Sequence, residues 1–108
     1  MHLAEFQKLG AEIDDAYAES GRSKGYKERT PLTYCGFLAT DFGELTEQIM
    51  AKEQYRDGKD IDQKIAHELS DCLWVVLMLA KHLDVDLETA YMQMIQDVKK
   101  RQELGIAG

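Results

Sequence analysis

Residues 61–83, IDQKIAHELSDCLWVVLMLAKHL, decide how this chain folds. Ile61, Ile65, Leu69, Leu73, Val76 and Leu77 recur at spacings of three and four, which places them on one face of a helix. At Asp71 the character changes, and Cys72 to Ala80 is apolar without a break. A helix that is hydrophobic on every side has to be covered on every side. Few short helices in one small chain achieve that, so a second subunit is expected to pack against this run.

The rest of the chain has the same grammar. Leu3, Phe6, Leu9, Ile13, Ala16 and Tyr17 predict a first helix ending near Ser20-Gly21. The loop Gly21–Arg29 carries Arg22, Lys24, Lys27 and Arg29, and Thr30-Pro31 then reads as an N-cap followed by proline at the first helical position. A second helix runs from there to about Tyr55. Arg56-Asp57-Gly58-Lys59-Asp60 breaks it, with Gly58 as the turn residue and Asp60 as the cap of a third helix starting near Ile61. After Leu83-Asp84-Val85, Asp86 caps a fourth helix through Tyr91, Met94, Ile95 and Val98 to roughly Glu103. Short connections predict an all-α, antiparallel bundle of about four helices, oligomerising through its apolar helix, with residues 1–108 as one domain.

Composition narrows the function. Twenty acidic against thirteen basic residues give a net charge of -7, which repels nucleic acid. Met1–Gly10 mixes charges into its apolar residues, unlike a signal peptide, and the apolar run falls short of the roughly 20 residues that span a bilayer. A cytoplasmic protein with no membrane partner is expected. Cys35 and Cys72 lie among apolar residues and read as buried free thiols, not metal ligands.

The acidic residues are patterned. Asp41, Glu44 and Glu47 share the second helix, Glu68 and Asp71 the third. Residues three apart lie about 60° apart around a helix, so each neighbouring pair projects from one side. Across a hairpin turning near Gly58, Glu44 and Glu47 stand roughly 18 and 13 Å from the turn, and Glu68 and Asp71 roughly 10 and 15 Å. Like charges converging at one height call for a cation or for protonation. An all-oxygen donor set suits Mg²⁺ or Mn²⁺. Spacing alone leaves a second reading open, a solvated acidic face on a non-catalytic helical module. His67 neighbours Glu68 but points about 100° away, as a supporting or surface group would. Trp74 and Tyr26 could stack on a base, although Trp74 lies inside the apolar run and reads first as packing.

Gly43-Glu44-Leu45-Thr46-Glu47, Glu68-Leu69-Ser70-Asp71 and Leu83-Asp84-Val85-Asp86-Leu87-Glu88 together resemble the MazG-like, all-α nucleoside triphosphate pyrophosphohydrolases over about residues 30 to 101. The resemblance implies Mg²⁺ held by a Glu-x-x-Glu and a Glu-x-x-Asp, and hydrolysis of a triphosphate to monophosphate and pyrophosphate in a nucleotide-cleaning role. The related phosphoribosyl-ATP pyrophosphohydrolases are the near alternative. Two registers fit the first half of the motif, Asp41 with Glu44 or Glu44 with Glu47, with Glu44 or Glu47 as general base. Where the family often places a lysine and an asparagine on the fourth helix, this chain has Met94 and Val98. Lys24, Lys99 and Arg101 are the cations expected to meet the phosphates, and a homodimer or homotetramer is the expected assembly.

Overall fold

The computed structural model describes residues 2–54 and 58–105. Among them are four helices and no strand: α1 (Leu3–Ser23), α2 (Pro31–Gln54), α3 (Lys59–His82) and α4 (Leu87–Glu103). The all-α reading therefore holds. None of the helices among the described residues is long and apolar enough to cross a membrane.

Local chemistry explains most of the boundaries. Thr33 Oγ1 accepts from the Thr30 backbone N–H at 3.1 Å, the reach-back half of a capping box just ahead of Pro31. Asp86 caps α4 as expected, its Oδ1 accepting from the Thr89 N–H at 3.2 Å. Two boundaries differ from expectation. The first helix runs through Gly21 to Ser23, and the chain turns instead at Gly25, whose φ of 79° suits glycine. The third begins at Lys59, with Gly58 (φ 123°) as its N-cap, so Asp60 lies inside the first turn. There its charge faces the positive end of the helix dipole. Tyr55, Arg56 and Asp57 lie outside the described residues.

Packing is concentrated in the α2–α3 hairpin, with α1 laid across α3 and α4 resting chiefly on α1. The core consists of Tyr34, Val75, Leu77 and Met78, flanked by Leu3, Phe37, Leu38, Trp74, Leu79 and Leu87. Thus the apolar run does supply the core, but α4 contributes no buried residue. The chain is correspondingly open, with a radius of gyration of 17.4 Å where about 13 Å is usual for its length.

Two contacts position α1. The Trp74 indole N–H donates to the Gly10 carbonyl at 3.2 Å, and a Cβ at Gly10 would stand 2.9 Å from Met78 Cε and 3.0 Å from Trp74 Cδ1. Gly10→Ala gains up to about 1 kcal/mol of helix propensity but overpacks a closed contact, which costs about 1–3 kcal/mol. Net destabilisation is expected, measurable as a lower urea midpoint at unchanged slope.

The second contact is Asp14, 2% exposed. Its carboxylate accepts from the Tyr34 hydroxyl, meets His82 Nε2 at 2.9 Å and Lys81 Nζ at 3.5 Å, and faces Arg29 Nη1 at 3.6 Å. Tyr34 stacks on His82 with ring centroids 4.7 Å apart. One acid thus ties α1 to α2, α3 and the preceding loop. Burial acts to raise its pKa, but the Tyr34 and His82 hydrogen bonds and the Lys81 charge together outweigh burial and hold it below 3.8. Tyr34 is pushed up to about 12, by burial first and then by its bond to Asp14.

A carboxylate with a depressed folded pKa contributes stability above its unfolded value and loses it as pH falls through the folded one. Wild-type stability is therefore expected to decline below pH 3.8. Asp14→Asn should be less stable at pH 7 and should lack this part of the acid decline, as read by denaturant titrations at several pH values.

Candidate active site

The helix boundaries decide which acids meet. With α2 ending at Gln54 and α3 starting at Lys59, Glu44 and Glu68 stand about 15 and 14 Å from the turn, and Asp41 and Asp71 about 20 and 18 Å. Asp41, Glu44 and Glu68 each bring one carboxylate oxygen within 4.8 Å of the others. Asp71 completes the group from one turn beyond Glu68, close enough to act on both Asp41 and Glu68. Glu47 is exposed and outside the cluster. The cluster therefore takes the Asp41–Glu44 register, with Glu47 one turn outside it.

Electrostatics agrees with the geometry. Partial burial raises the Asp41 pKa, reinforced by Asp71 and then Glu44. The Glu68 pKa is likewise raised, by desolvation first and then by Glu44 and Asp71, against a smaller opposing effect of His67. Glu68 Oε2 is buried without a hydrogen-bond partner among the described residues. Crowded carboxylates with an orphaned buried oxygen fit a hard divalent cation, which would satisfy the lone pairs and reverse the repulsion.

The neighbours support an all-oxygen set. Burial pushes the Cys72 thiol up, and Asp41, Glu68 and Asp71 push it further, which opposes the thiolate that a metal ligand requires. Cys72 is only partly buried and Cys35 is exposed, so the expectation of two buried thiols is corrected. Cys35 faces outward because the core side of its turn of α2 is taken by Tyr34 and Leu38. His67 Nε2 lies 3.3 Å from Asp71 Oδ2, one turn along the same helix, as an outer support of that carboxylate.

A cleft adjoins the acids. One lobe, about 480 Å³, is lined by Ile13, Tyr17, Asp41, His67, Ser70, Asp71 and Trp74. A second, about 220 Å³, is lined by Tyr17, Arg29, Phe37, Thr40, Asp41, Trp74 and Val75. Tyr17, Asp41 and Trp74 belong to both. Trp74 therefore borders the cleft as well as packing, its ring held by the bond to Gly10. None of Lys24, Lys99 and Arg101 lines either lobe. Lys24 borders a separate loop cavity with Arg22 and Lys27, while Lys99 and Arg101 are exposed on α4 alongside Met94 and Val98. Arg29 stood out in the sequence only as one cation of the basic loop, and Asp14 and Tyr17 carried no site signal, because the partners of Asp14 on α2 and α3 come from 20 or more positions away.

Fold and site together define an all-α protein with an acidic, all-oxygen candidate metal centre between two adjacent helices and an aromatic cleft beside it. Residues 29–105 match the model of the MazG nucleotide pyrophosphohydrolase domain, and the chain belongs to that family. It is also similar to the uncharacterized protein YpjD of Bacillus subtilis, 28% identical over 96 residues that cover 84% of this chain and 86% of the relative. The resemblance drawn from the three motifs is confirmed at the level of the family, one of nucleotide pyrophosphohydrolases that typically use a divalent metal.

Proposed function

We propose that this chain hydrolyses a nucleoside triphosphate, canonical or modified, to its monophosphate and pyrophosphate in a metal-dependent reaction, as a cytoplasmic nucleotide-cleaning enzyme. The observation that carries the reading is the convergence of Asp41, Glu44 and Glu68 around a buried, unsatisfied Glu68 oxygen. Asp41, Glu44, Glu68 and Asp71 would hold Mg²⁺, with Mn²⁺ as the natural substitute for an all-oxygen set. When bound, the ion neutralises phosphate oxygens and acidifies water.

The chain's own residues supply the rest. Asp41 and Glu68 are half-buried and aimed by two packed helices, which suits fixed ligands, whereas Glu44 is the exposed member of the cluster. Glu44, bound to the ion through one oxygen, would use the other to take the proton of a water attacking the α-phosphorus. His67 holds Asp71 in orientation. Tyr17 and Trp74 line the cleft beside Asp41.

The apolar surface supports assembly as well. Phe6 and Leu9 on α1 and Leu69 and Leu73 on α3 are all exposed in the isolated chain. A homodimer or homotetramer would cover them.

Pyrophosphate release from a panel of ribo- and deoxynucleoside triphosphates and phosphoribosyl-ATP, with Mg²⁺, with Mn²⁺ and with chelator, tests the activity. Release that requires the metal is expected. No release from any of these compounds in either metal would overturn the reading.

A further inference from the structure

We propose that Arg29 selects the base of the nucleotide. The inference rests on the triphosphate reading above. Arg29 enters the cleft from the loop before α2. Its guanidinium carbon lies 5.5 Å from the Tyr17 ring centroid and 5.3 Å from that of Phe37, and Nη1 is 3.6 Å from the buried Asp14. Two rings and an immobilised carboxylate therefore fix the group, while its side chain keeps 28% exposure on the wall of the lobe that contains Asp41.

The surroundings say which part of a nucleotide this group meets. Besides Asp41 and Arg29 the lobe is lined by Tyr17, Phe37, Trp74 and Val75, with Thr40 as one further polar residue. A polyphosphate would be desolvated there against mostly aromatic walls and a single, largely offset cation, whereas a flat heteroaromatic ring gains stacking. Asp14 offsets much of the arginine's charge and Tyr34 takes a further hydrogen bond from it, which lowers its value to a phosphate, but a guanidinium has five N–H donors and these two partners do not use them all. Phe37 lies one turn, about 6 Å, from Asp41, so with the α-phosphate held at the acids the base falls a sugar's length away, at the Phe37 and Arg29 end of the lobe. The base then meets a rigid fork of donors with no acceptor of its own.

Such a fork discriminates by pattern. Guanine offers adjacent acceptors at O6 and N7, and cytosine at O2 and N3. Adenine places an amino donor beside N7, and uracil interposes N3–H between its carbonyls. The preferred substrates are accordingly guanine or cytosine nucleotides, whichever edge the lobe admits.

Trp74 is the chain's only tryptophan and lines the lobe, so its fluorescence reports base binding directly. Metal-free full-length protein is titrated with GMP, CMP, AMP and UMP. The tighter of GMP and CMP is expected to bind about tenfold better than AMP and UMP. In Arg29→Lys, which retains the charge opposite Asp14 but loses the fork, the preference should shrink to about twofold or less. Tyr17→Leu, at an exposed position, should weaken all four alike and keep the preference.

The same ranking should appear in kcat/KM on the triphosphates. A wild type that binds all four bases equally, or an Arg29→Lys that keeps the full preference, overturns the role of Arg29 and leaves the hydrolase reading standing. Selective binding without hydrolysis of any triphosphate overturns the hydrolase reading and, with it, this assignment as substrate selection.

Discussion

Asp41→Asn and Glu68→Gln will each lower metal-dependent pyrophosphate release by at least about a hundredfold, whereas Glu47→Gln will leave it within about fivefold. The contrast follows from the hairpin. Asp41 and Glu68 are members of the carboxylate cluster, and Glu47 is an exposed acid one turn away from it. Stability should move the other way. Removing the Glu68 charge relieves its repulsion with Glu44 and Asp71, so Glu68→Gln is expected to melt no lower than wild type in chelator. It should also lose most of the melting-temperature increase that wild type gains on adding Mg²⁺, since a cation that binds the folded state alone stabilises it by mass action. Equal losses of activity in Asp41→Asn and Glu47→Gln would mean that the acids are paired in the other register. A Glu68→Gln variant with wild-type activity would remove the metal centre altogether.

The second large effect concerns assembly. Light scattering at micromolar concentration should report a dimer or larger, and Leu73→Glu should convert it to monomer while the isolated fold persists. Leu73 belongs to the apolar run of α3 yet is 47% exposed, and Leu69 one turn earlier is 52% exposed. A charge at either position costs little in the single chain but would be buried unpaired in an interface, where the penalty is several kcal/mol. The open shape of the chain argues in the same direction, because an amphipathic α4 that buries no residue leaves apolar area that a single protomer does not use. A wild type that elutes and scatters as a monomer at this concentration would contradict the assembly.

Much of this architecture was legible in the chain itself. Helix positions followed from three- and four-residue apolar spacing, and the starts of α2 and α4 from Thr30-Pro31 and Asp86, because these signals are local and act over a single turn. Glu44, Glu68 and Asp71 stood out because carboxylates three apart on facing helices are also a local pattern. The Asp41 or Glu47 question was not local. It turned on the relative height of the two helices, where a slide of about one turn, roughly 5 Å, exchanges one pairing for the other. Asp14 illustrates the limit more sharply. Beside Asp15 in sequence it looks like half of an ordinary surface pair, yet it is the buried tie among Tyr34, Lys81, His82 and Arg29.

By itself, then, the sequence determined an all-α chain, its helix order, the apolar run that becomes the core, and an acidic pair on each of two neighbouring helices. Only the tertiary structure decided which carboxylates converge, that Trp74 and Arg29 border the same cleft, and that α4 meets the core only through Leu87. The physical reason is range. Helix formation and capping are settled by residues within about four positions of one another. A site between helices depends on register, on the close approach that Gly10 allows, and on buried partners such as Asp14, whose neighbours are distant in the chain.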